Sequence, residues 1–177
     1  DENKIWYPDL AIKYYCAFAS QYISFLERDE KLVGKWFSLK KIRKYGVENN
    51  LEHFVEEVDF LKNNKEVGGS HDLMWDIACS APHRFADFFE QRILVILDEF
   101  QYIAQSVYRD KKCQGQPDQT LPGSYHSLSE SKIAPMLVTG SYAGWLLSIM
   151  HQYLEAGRLK PLHFSPYLTP DAGLQAV

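Results

Sequence analysis

Apolar and polar positions recur with a helical period along the first half of this chain, and the loss of that period divides it. From Asp9 to Leu26 the apolar residues Leu10, Tyr14, Ala17, Phe18, Tyr22, Phe25 and Leu26 recur every three or four positions, which places them on one side of an α-helix. Pro8 and Asp9 suit its first turn. Leu32, Trp36, Leu39 and Arg43 form a second stripe between Lys31 and Tyr45, for which Gly46 is a plausible stop. Leu51, Phe54, Val55, Val58 and Leu61 outline an acidic third helix to Asn63. The second and third helices carry opposite charge and are expected to pack together. Ser70 suits the cap of a fourth helix through Leu73, Ile77 and Ala78, whose stripe resumes after Pro82 at Phe85, Phe88 and Phe89.

The helical period then gives way to an unbroken aliphatic run, Ile93-Leu-Val-Ile-Leu97, followed by Asp98 and Glu99. Such a run predicts a strand buried on both faces of a parallel sheet, with the two carboxylates emerging at its edge. Phe100, Ile103, Ala104 and Val107 read as a helix beyond that edge, and Lys111 to Ser131, rich in Gln, Gly, Pro, Asp and Ser, reads as a mobile loop. Ala134 to Ser141 reads as a second buried strand with a polar exit at Thr139, Gly140 and Ser141. Ile93 to Leu97 and Leu137 to Thr139 are expected to be parallel neighbours with helices on both faces, because both polar exits must reach one edge to serve one site. Trp145, Leu146, Ile149, Met150, Tyr153 and Leu154 predict a helix ended by Gly157-Arg158, Leu159 to Phe164 a third strand, and Thr169-Pro170-Asp171-Ala172 the start of a further helix.

Composition narrows the classes. A chain of 177 residues with 46% hydrophobic content, 11 Tyr and 10 Phe builds a core, so disorder is excluded and one domain is expected. The net charge of −4 gives no global case for nucleic acid. One local case exists: Lys31, Lys35, Lys40, Lys41, Arg43 and Lys44 are interleaved with Trp36, Phe37 and Tyr45, a mixture that suits nucleic acid or simply a helix with a solvated cationic face. Cys16, Cys79 and Cys113 stand far apart with no CxxC pair, which argues against a disulfide framework or a zinc site and fits a reducing cytoplasm. No apolar run approaches the length of a membrane span, so no membrane partner is expected. The first residue, Asp1, is not Met, which leaves the natural start of the polypeptide open.

The candidate chemistry sits at the end of the aliphatic run. In a nucleotide-hydrolysing site the first carboxylate, Asp98, holds Mg²⁺ through water and the second, Glu99, polarises the attacking water. The competing reading is a helix N-terminus, where acids are favoured by the dipole alone. Cys79 and His83 lie four apart, but Pro82 stands between them and no third group orients the imidazole, so the pair reads as structural. Gly68-Gly69 is too short for a phosphate loop, and neither GxxxxGK[ST] nor GxGxxG occurs in the chain.

Taken in order, the ILVILDEFQ stretch, the LVTGSYAGWL stretch and the GRL-x-PL-x-F-x-P-Y-L-T tail resemble the prokaryotic and archaeal AAA-like ATPases of the P-loop superfamily. The resemblance covers Asp87 to Val177. It implies an α/β fold: a partial P-loop NTPase core, with a parallel sheet flanked by helices and a helical first half. It also implies one incomplete ATPase domain over 1–177, with a helical insertion over 1–90, a Walker B and sensor sheet over 91–167 and the start of a lid helix over 168–177. By the same resemblance Asp98 binds Mg²⁺, Glu99 is the catalytic carboxylate, Ser141 with Thr139 senses the γ-phosphate of ATP, and Arg158 is a transition-state or inter-subunit arginine. The competing reading of Arg158 is a cation at a helix C-terminus. The chain departs from the family in lacking the Walker A loop, so it is not expected to turn over ATP alone. A homo-oligomer or a partner protein is admitted, as is a degenerate, non-hydrolysing scaffold of the same fold.

Overall fold

The computed structural model describes residues 4–141, 143–154 and 159–162. Among them, helices dominate and two small parallel sheets hold the strands, a mixed α/β arrangement. The first helix, α1 (Tyr7–Glu27), starts with Pro8 in its first turn and ends at Arg28, whose left-handed backbone (φ 49°) returns its N–H to the Phe25 carbonyl. Its buried stripe is rotated from the predicted one. Ala11, Tyr15, Ala19 and Ile23 face the core, Tyr14 and Phe18 flank it, and Phe25 faces outward. The helix is apolar around more than half its circumference, so spacing alone could not fix which side is covered.

Three further helices pack around it: α2 (Leu39–Glu48), α3 (Glu52–Asn64) and α4 (His71–Phe88). Phe85 of α4 joins them, with ring centroids 5.1 Å from Phe18, 5.2 Å from Tyr22 and 5.0 Å from Phe54 in edge-on or tilted contacts, arrangements that aromatic quadrupoles favour. The helix of opposite charge to α3 does pack on it, and Arg43 grips the Asp59 carboxylate through two hydrogen bonds of 2.7 and 2.8 Å. The predicted stripe from Lys31 to Tyr45 is not one helix. Residues 30–32 form a single 3₁₀ turn, the chain then runs extended, and α2 begins only after Ser38, whose hydroxyl accepts from the Lys41 N–H. Ser20 takes the Phe37 N–H at 2.8 Å, which turns Phe37 into the core and leaves Trp36 57% exposed. Gly46 lies inside α2 and does not stop it. A Cβ there would meet the Phe54 Cβ at 2.9 Å, so this glycine lets α2 and α3 approach closely.

Four short strands follow the same parallel logic. β1 (Ile5–Trp6) pairs with β3 (Val107–Tyr108), and β2 (Val95–Leu97) pairs with β4 (Met136–Val138). The β2–β4 pair is the parallel neighbour relationship expected from the sequence, in the register Val95 with Met136, Ile96 with Leu137 and Leu97 with Val138. Burial on both faces is not observed. Leu94 is 59% and Ile96 60% exposed, while Val95 packs with Ala86 and Ala134. Only one side of this two-stranded sheet is covered by the described helices. β1 and β3 were not expected: the helix predicted from Phe100 to Val107 is confined to α5 (Tyr102–Gln105), and the chain then extends to meet β1.

The segment from Lys111 to Ser131, expected to be a mobile loop, is anchored. It contains 3₁₀ turns at Leu121–Tyr125 and Leu128–Glu130, and Tyr125 is buried between Trp75 and Phe100. The Trp75 indole N–H donates to Ser124 at 2.8 Å. Beyond β4, α6 (Ala143–Tyr153) matches the predicted helix. Leu159 to Leu162 are irregular where a strand was expected, and the remainder of that strand, Arg158, and the helix from Thr169 lie outside the described residues. No helix among the described residues is long and apolar enough to cross a membrane.

Candidate functional site

Asp98 and Glu99 follow β2 directly, and Thr139 and Ser141 follow β4, so parallel pairing brings all four to the C-terminal edge of one sheet. That edge is where open α/β sheets hold ligands. The ladder continues one rung beyond the strands, with the Thr139 N–H donating to the Leu97 carbonyl at 2.9 Å and the Phe100 N–H donating to the Thr139 carbonyl at 3.0 Å. These two bonds fix the side chains in facing pairs. The Thr139 hydroxyl donates to Asp98 Oδ1, which also takes the Glu99 N–H at 3.0 Å, and the Ser141 hydroxyl donates to Glu99 Oε1.

The second oxygen of Glu99 accepts from the Gln101 side-chain amide. Ser141 first, and Gln101 next, hold the Glu99 carboxyl below the ordinary glutamate value of 4.5, because hydrogen bonds to the ionised form favour it. Glu99 itself sits at φ 52°, a left-handed conformation uncommon for a residue with a Cβ. Among the described residues no ion pair ties either carboxylate to a lysine or arginine. The edge therefore sets two carboxylates beside two hydroxyls with no paired lysine or arginine among the described residues.

Gln101 and Gly140 belong to this site and had no assigned role in the sequence reading. Gln101 is 2% exposed, and a Cβ at Gly140 would stand 2.5 Å from its Oε1. Glycine between two hydroxyl residues was the available signal.

Other candidates separate from this edge. Burial pushes the Cys79 thiol up to about 12, its sulfur faces the Asp76 carbonyl, and His83 turns instead to the Leu128 carbonyl at 3.0 Å. No thiol–imidazole pair forms. A groove of about 710 Å³ lies between α1 and residues 91–97, lined largely by apolar groups such as Phe18, Tyr22, Phe25 and Ile96, and neither Asp98 nor Glu99 lines it. No group of three or more His, Cys, Asp or Glu able to hold a metal occurs among the described residues. Comparison of the chain with protein-family models, with curated proteins and with solved structures gives no match.

Proposed function

We propose that the β2–β4 edge is the Mg-nucleotide end of an ATPase of the AAA-like P-loop type, acting as a conformational switch. The observation that carries this reading is the convergence of two adjacent carboxylates and two hydroxyls from neighbouring parallel strands on one exposed edge. The donor set fits Mg²⁺ rather than a caged metal. Mg²⁺ keeps most of its water and takes one or two carboxylates plus substrate phosphates, and Asp98, exposed and without an ion pair among the described residues, would hold it. When bound, Mg²⁺ supplies neutralisation of phosphate charge.

The chain's own residues supply the rest. Glu99, held anionic by its hydrogen bonds, is a base able to orient a water. The Ser141 and Thr139 hydroxyls, at the same edge, are donors able to turn toward a terminal phosphate. Arg158 is the proposed charge-compensating or inter-subunit cation, by resemblance alone. No GxxxxGK[ST] phosphate-binding loop occurs in the 177 residues, so this reading requires such a loop from outside them, and the 177 residues by themselves are expected not to hydrolyse ATP. A cytoplasmic setting and a homo-oligomer or protein partner go with the same reading.

The test is nucleotide affinity and turnover in a polypeptide that supplies a phosphate-binding loop to these residues. Glu99→Gln should retain Mg-ATP binding while turnover drops by roughly two to four decades, the range for losing a positioned acid–base group. Asp98→Asn should instead weaken the Mg²⁺-dependent part of binding. Nucleotide binding with no turnover in the parent would shift the assignment to a non-hydrolysing scaffold of the same fold. Absence of binding would remove the nucleotide from both.

A further inference from the structure

We propose that Gln101 is a positioning residue for Glu99, and that Gly140 is the gap through which it acts. The inference rests on the nucleotide reading for its catalytic meaning and on geometry alone for its existence. Gln101 is nearly fully buried and donates its side-chain amide to Glu99 Oε2. Its other polar atom, Oε1, is buried without a hydrogen-bond partner among the described residues. A buried carbonyl oxygen left unpaired is unfavourable, so packing alone gives no reason for this orientation.

The acceptor does give one. If the carboxamide turned over, Oε1 would face the Glu99 carboxylate, oxygen against oxygen, whereas the observed orientation sets a donor against an anion. Glu99 thus fixes Gln101, and Gln101 with Ser141 fixes Glu99, each taking one carboxylate oxygen. The missing side chain at residue 140 leaves the space that the carboxamide occupies. A Cβ there would lie 2.5 Å from Gln101 Oε1 and 3.7 Å from its Cδ. The latch therefore draws on both strand ends: Glu99 and Gln101 after β2, Gly140 and Ser141 after β4. Each Glu99 oxygen keeps a second lone pair, so the carboxylate can accept from a water while Gln101 and Ser141 hold it in place. An incoming phosphate could draw away Ser141, the exposed partner, while Gln101 stays and keeps the carboxylate aimed.

The experiment is side-chain NMR on the full chain. In the parent, Glu99 should show a single side-chain rotamer by its three-bond couplings, and the Gln101 amide protons should exchange slowly and shift downfield. Gln101→Met matches the length of the side chain without a donor and should average the Glu99 couplings. Gly140→Ala, which changes neither partner, should do the same by displacing the carboxamide, and it keeps the question open to test if the buried substitution unfolds the chain. Averaged couplings in Gly140→Ala with an intact backbone spectrum support the latch whether or not nucleotide binds. Couplings unchanged from the parent in a folded Gly140→Ala or Gln101→Met overturn it, whatever becomes of the nucleotide reading. In the polypeptide that binds Mg-ATP, Gln101→Met should lower kcat by tenfold or more with KM within twofold of the parent. Equal loss in both parameters would show a general structural role and also overturn it.

Discussion

The Thr139 N–H donates to the Leu97 carbonyl at 2.9 Å, one rung past the Leu97–Val138 pairing. This bond carries the parallel register out to the polar residues, so that Asp98 meets Thr139 and Glu99 meets Ser141. A slip of one residue would reverse the faces of the strand and put the apolar Val138 where the hydroxyl now stands.

The two faces of β2 should differ sharply in their tolerance of substitution. Val95 is buried against Ala86 and Ala134, and Val95→Ala should cost on the order of 2 kcal/mol through lost contacts and a cavity. Ile96 is largely exposed, so Ile96→Thr should change stability by no more than about 0.5 kcal/mol. Urea unfolding of both variants checks this, and a costlier Ile96→Thr would mean that the outer face is covered in solution.

Gly46 makes a forecast in which two effects oppose. Alanine in a helix interior gains up to about 1 kcal/mol over glycine, but here its Cβ would press on Phe54 Cβ at 2.9 Å and on the Leu51 carbonyl at 3.1 Å. Two of those neighbours are backbone or near-backbone atoms and cannot swing aside, so overpacking of about 1–3 kcal/mol should win. Gly46→Ala is therefore expected to destabilise. Gly144→Ala, with nothing within 4 Å, should be neutral or stabilising, and thermal unfolding of the two separates the cases.

The strand pair was legible because its aliphatic run is unbroken and its polar exit abrupt. An unbroken run has no alternation, however, so Ile93 to Leu97 could not announce that Leu94 and Ile96 face solvent. β3 was hidden for the opposite reason: Phe100, Ile103, Ala104 and Val107 have helical spacing, and only the pairing of Val107 with Ile5, distant in sequence, ends the helix early. The anchoring of Lys111 to Ser131 depends on Tyr125, one aromatic within a polar stretch. The facing of Asp98 and Glu99 by Thr139 and Ser141 followed from parallel pairing. The Gln101 contact did not, because it needs Glu99 in the left-handed region, which a glutamate does not signal.

His83 should set a step in stability on the acid side. Burial holds its imidazole below the ordinary value of 6.5, the Leu128 carbonyl acts against that, and Arg84 adds to it. A group with a depressed folded value is neutral in both states above 6.5 and costs nothing there. As pH falls from 6.5 through the folded value, the unfolded chain takes up the proton first and stability is lost. Urea midpoints at about pH 7.5 and about pH 5.5 should differ in the parent, and His83→Gln, which keeps a donor toward Leu128 without a titrating ring, should reduce that difference. An unchanged difference would assign the step to other groups.

The cationic stretch is the remaining alternative, and its surroundings argue for weak binding. Arg43 is committed to Asp59, Lys44 stands 3.5 Å from Glu48, and the Lys41 ammonium lies over the Phe37 ring at 3.6 Å. The free cations are thus fewer than the sequence suggests, and acids at Glu27, Glu30, Glu48 and Glu52 flank the stretch in the sequence. Trp36, exposed among these lysines, offers a stacking platform but a single one. Fluorescence anisotropy with a single-stranded oligonucleotide should give a Kd no tighter than about 10⁻⁴–10⁻⁶ M near physiological salt, the range of contacts made to phosphates without base readout. A tight complex that dissolves steeply with salt, and is lost in Lys40→Glu combined with Lys41→Glu, would reverse the assignment and make this face the functional one. Weak binding that survives the double substitution would leave the stretch as a solvated surface.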